Sequence, residues 1–128
     1  MDARTEKIVN IFQGSWKEVE KEYDDLINNY PGWERYIPVK SLISNFIEKG
    51  EDKYFRAGRS LSTLMISRSI NHGLRDDQKF VSIEAVDHND YEIKLREPLK
   101  TYREYRITSL DDPKLHKLLK TLKETLVD

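Results

Sequence analysis

The chain has 128 residues, with 22 Lys and Arg against 23 Asp and Glu for a net charge of −1, and it contains no cysteine. That length suits a single domain over residues 1–128 with one core, and the balanced charge gives no general reason to expect a polyanion or a membrane surface as partner. The missing cysteines exclude disulfides, thiolate catalysis and cysteine-ligated zinc.

With 38% hydrophobic residues, including 2 Trp, 7 Tyr and 4 Phe, the sequence has enough apolar surface to fold rather than stay disordered. The start, MDARTEKIVNIF, lacks the apolar run of a secretory signal, and no window approaches about 18 consecutive apolar residues. The expectation is a cytoplasmic protein, bacterial in character, with no membrane segment.

Ile8, Phe12, Ser15, Val19, Tyr23, Leu26 and Tyr30 recur at steps of three or four, which predicts one long helix over about 5–29. Gly14 falls on the opposite side of that helix, and Pro31-Gly32 stops it. The same helix is the one lopsided segment in charge, with 4 basic and 7 acidic residues in 1–30. Glu18, Glu22 and Asp25 line up beside its apolar face and form an acidic stripe. Trp33 and Tyr36 follow in a connector and are the aromatics best placed for an interface.

Pro38 suits the first turn of a second helix with Val39, Leu42, Ile43, Phe46 and Ile47 on its apolar face, ended by Gly50. Residues 52–72 read as a third helix whose apolar arc (Phe55, Ala57, Leu61, Leu64, Met65, Ile66, Ile70) is wide enough for a central position. Gly58, Ser62, Ser69 and Gly73 form a small-residue stripe on it, and Gly73 suits a left-handed cap. On such a helix Arg68 and His72 turn inward near Tyr54. A buried arginine needs a partner, so these three residues form either a structural polar cluster or a small-ligand or enzyme site.

The period then changes to alternation. Val81, Ile83 and Ala85, the turn 87–90, then Tyr91, Ile93 and Leu95 predict a hairpin, and 102–108 adds a third antiparallel strand. Asp112 as cap and Pro113 open a last helix with Leu115, Leu118, Leu119, Leu122 and Leu126 on one face. The expected fold is therefore α+β: three N-terminal helices, a three-stranded antiparallel sheet and a C-terminal helix.

Gly58-Arg59-Ser60-Leu61-Ser62 lacks the final glycine and the preceding strand of a nucleophile elbow, and His72, His88 and His116 lack metal-ligand spacing. No catalytic residue, metal or cofactor is expected. The expected function is a non-enzymatic module that binds another protein, of which an immunity- or antitoxin-type inhibitor is an example. The alternatives are a nucleic-acid-associated protein using Arg56, Arg59 and the lysines of the last helix, and a ligand or enzyme site at Arg68/His72.

Overall fold

The computed structural model describes residues 2–71 and 73–127. Helix α1 spans Ala3–Asn29 and α2 spans Ile37–Lys49. Five strands follow: β1 (Arg56–Ser60), β2 (Thr63–Ser67), β3 (Phe80–Asp87), β4 (Asp90–Glu97) and β5 (Lys100–Ile107); α3 (Pro113–Lys123) ends the order. The strands pair antiparallel in the sequence order β1-β2-β3-β4-β5.

The α+β class stands, but the sheet has five strands and not three, because the expected third helix is the β1–β2 hairpin. Its two-residue turn, Leu61-Ser62, lies between the paired Ser60 and Thr63. Ala57 pairs with Ile66, and Leu64 pairs onward with Ile83, so the apolar residues alternate along each strand and face one side. Folding the segment back on itself put apolar residues on both arms, and read straight through they imitate a helical arc. Leu61, counted in that arc, stands at the turn tip, 86% exposed and with φ 54°. Gly58, Ser60, Ser62, Thr63 and Ser67 are all poor helix formers, and their density was the signal against a helix.

The other elements follow local rules. Asp2 caps α1 by accepting the Thr5 amide (2.8 Å), and Asp112 caps α3 by accepting the Lys114 amide (2.9 Å). Gly50 closes α2 in the left-handed region at φ 78°. Gly73 is also left-handed, at φ 76°, but in the 68–79 connection rather than at a helix end.

All three helices pack on one face of the sheet. The core joins Trp16, Val19 and Tyr23 of α1, Val39, Ile43 and Phe46 of α2, and Leu115, Leu118, Leu119 and Leu122 of α3 to Leu64, Ile66, Val81, Ile83, Tyr91 and Ile93. Helix α1 also runs along the free edge of β1. Ser15 Oγ accepts the Ala57 amide (2.9 Å), Trp16 Nε1 donates to the Phe55 carbonyl (2.8 Å) and Tyr23 Oη donates to the Ser62 carbonyl (3.0 Å). These bonds satisfy main-chain groups that an edge strand would otherwise present to another chain. Burial pushes the Tyr23 phenol well above its ordinary pKa, so it remains a donor.

Candidate functional site

With every helix on one face, the other face of the sheet is left uncovered. It curves into a trough of about 730 Å³, bounded on one side by Ser15, Glu18, Val19 and Glu22 of α1 and at one end by the 68–79 connection. The volume falls in the range of roughly 300–1,000 Å³ typical of binding clefts.

Strand register orders the trough into rows. Arg56, Ser67, Phe80 and Arg96 stand side by side across β1 to β4, next to the connection. Gly58, Met65, Ser82 and Lys94 make the middle row, continued by Glu104 on β5. Glu84 and Glu92 face each other in the next row, with Arg106 beyond. Gly58 opens the floor: a Cβ built there meets nothing within 4 Å.

The charges lining the trough balance, with Glu18, Glu22, Glu84 and Glu92 against Arg56, Arg59, Lys94 and Arg96. Arg59 Nε meets Glu22 Oε2 at 2.9 Å. Lys94 Nζ lies 3.0 Å from Glu92 and 3.5 Å from Glu104, and the hydrogen bond with Glu92 holds the ammonium above its ordinary pKa. Arg96 stands over the Phe80 ring, its Cζ 5.6 Å from the centroid.

Of the residues singled out from the sequence, Glu18 and Glu22 reach the trough wall, while Asp25 is exposed on α1 and does not line it. Tyr36 is fully buried, stacked 5.8 Å from Tyr23, and Trp33 packs half-buried 5.0 Å from Tyr36. These two aromatics sit in and against the core, with Tyr36 presenting no surface.

The inward cluster of Tyr54, Arg68 and His72 required a helix, and residues 54–71 form none. Tyr54 instead lies under Lys123, whose Nζ is 3.7 Å from the ring centroid. Arg68 follows β2 with its Nε buried and without a hydrogen-bond partner among the described residues, and burial lowers its pKa. His72 lies outside the described residues.

Arg56 belongs to the uncovered face, whereas α3 with Lys114, Lys117, Lys120 and Lys123 packs on the other, so these cations form no continuous patch. No group of three or more His, Asp or Glu side chains among the described residues is arranged to hold a metal.

The alternation in sequence leaves Ser82, Glu84, Glu92, Lys94 and Arg96 between the apolar positions of β3 and β4 and gives them no role. Phe80, Ser67 and Ser82 share those rows and are buried although they lie on the uncovered face, which sets the rows apart from a solvated surface. Comparison with protein-family models, with curated protein sequences and with solved structures found no match.

Proposed function

We propose that this chain is a non-enzymatic module that seats a segment of another protein in the trough on the uncovered face of its sheet. One observation carries the reading: a five-stranded sheet is coated by helices on one face only, and its other face is concave and charge-balanced with a small-residue opening at Gly58. Balanced charge of alternating sign suits a polypeptide with residues of both signs better than a polyanion.

The electrostatics support binding over catalysis. Lys94 is held between two glutamates that raise its pKa, whereas a lysine working as a base needs its pKa lowered toward neutrality. The acidic stripe enters this reading through Glu18 and Glu22, which form a wall of the trough. An inhibitor of the immunity or antitoxin type, acting in the cytoplasm, is one form such a module takes. No helix among the described residues is long and apolar enough to cross a membrane.

The test is a trough-filling substitution. In Gly58→Trp the new side chain enters open space, so the melting temperature is expected to stay within a few degrees of the parent. A protein identified in complex with the parent chain in its host is expected to be lost from Gly58→Trp and retained by Asp25→Lys, which alters α1 outside the trough. Equal retention by both variants refutes the reading.

A further inference from the structure

The row of the trough next to the 68–79 connection carries two arginines bonded unlike its other cations. Arg59 and Lys94 each meet a carboxylate. Arg56 Nη1 donates to the Ile70 carbonyl (2.6 Å), and Arg96 donates from Nε to the Glu97 carbonyl (3.2 Å) and from Nη2 to the Pro98 carbonyl (2.9 Å). Neither lies within ion-pair distance of a carboxylate among the described residues.

Carbonyls fix the direction of a guanidinium without neutralising it, and each arginine keeps donors to spare from its five N–H groups. The two stand at opposite ends of one row, three strands apart, or roughly 14 Å at the usual strand spacing. Arg96 Cζ stands 5.6 Å from the centroid of the neighbouring Phe80 ring, and Arg56 is tied to the connection at Ile70. Ser67 and Phe80 lie between them. At the other end Glu84 faces Glu92; Glu92 is shared with Lys94, and Glu84 has no ion pair among the described residues.

We propose that the Arg56/Arg96 end of the trough seats a carboxylate carried by the bound protein segment. This rests on the reading of the trough as the binding surface. It also orients the segment, with an acidic residue at the arginine row and a basic residue toward Glu84. A carboxylate fits better than a phosphate because the trough lining is already neutral. A segment with one charge of each sign keeps it so, whereas a doubly charged group would face Glu18, Glu84 and Glu92 across the same concavity.

The experiment titrates isotope-labelled protein with sodium acetate at constant ionic strength, following the Nε–Hε resonances of Arg56, Arg96 and, as a control, Arg106, which is already paired with Asp90. Expected are saturable shifts at Arg56 and Arg96, none at Arg106, and about tenfold weaker binding in Arg56→Gln or Arg96→Gln. Arg56→Gln leaves the β4–β5 turn intact, so it decides the matter if Arg96→Gln perturbs the fold.

Shifts that do not saturate, or that persist unchanged in the variants, overturn the proposal. Inorganic phosphate binding the same pair about tenfold more tightly than acetate overturns the choice of carboxylate. If acetate fails while Gly58→Trp still releases the partner, the subsite is wrong and the trough reading survives. If acetate binds and Gly58→Trp releases nothing, the anion site survives and the partner reading fails.

Discussion

Arg68 shows how the cost of one side chain depends on the backbone beneath it. On a helix it would point inward and need a partner; at the end of β2 its Nε is enclosed without one, although the residue as a whole is only half-buried. A buried N–H left without an acceptor costs about 1–3 kcal/mol. Arg68→Met keeps the aliphatic stem and removes the orphan donor, so stability is expected to stay level or rise by about 1 kcal/mol, measured by urea unfolding. A loss of more than about 2 kcal/mol would mean that Arg68 has a structural partner after all. The charges in the trough belong to the same scale: Glu22 of the acidic stripe and Arg59, a candidate phosphate contact in sequence, meet across the α1–β1 junction.

At the scale of elements, the β1–β2 hairpin is the piece that local sequence describes least well. Its turn places a leucine at φ 54°, where a side chain with a Cβ is disfavoured by roughly 1–2 kcal/mol, and leaves that leucine in solvent. Leu61→Asn is expected to raise stability by about 1 kcal/mol, since asparagine tolerates this region far better, as Asn89 does in the β3–β4 turn at φ 52°. Thermal unfolding checks it; an unchanged or lower melting temperature would show that the leucine contributes contacts that offset its strain. The hairpin holds because α1 supplies what its own residues lack. Ser15, Trp16 and Tyr23 bond to its main chain from outside, so an edge strand with weak propensity is fixed by a helix some forty residues earlier in the chain.

For the whole molecule, surface charge sets the pH range of stability. Asp2, Asp24 and Asp90 are each held below the ordinary 3.8, by the Thr5 amide, by Lys40 and by Arg106 respectively. A depressed carboxyl contributes stability above its unfolded pKa and loses it as pH falls through the folded value, so the acid limb begins near about pH 4. Lys94, raised above 10.5, contributes below its unfolded pKa and loses that contribution as pH rises through its folded value, which puts the other limb in strong alkali. The melting temperature is expected to be flat between about pH 5 and 9 and to fall below about 4, less steeply in Asp90→Asn. An acid limb unaffected by Asp90→Asn would assign the loss to other carboxylates.

Local pattern is enough for α1, α2, α3 and strands β3 to β5, because a stripe at helical spacing, an Asp or Gly cap, or an alternation such as Val81, Ile83, Ala85 is written in neighbours along the chain. It also placed Glu18 and Glu22 together on one helix face. That 56–67 is a hairpin depends on distant parts of the chain, since two five-residue arms with a leucine turn have a periodicity that reads equally as helix, and pairing with β3 and bonding to α1 make the choice. The same holds for the trough. Arg56, Gly58, Glu84, Lys94 and Arg96 are ordinary outward positions one strand at a time, and they become a site because all three helices take the other face and the register of four strands brings them into rows.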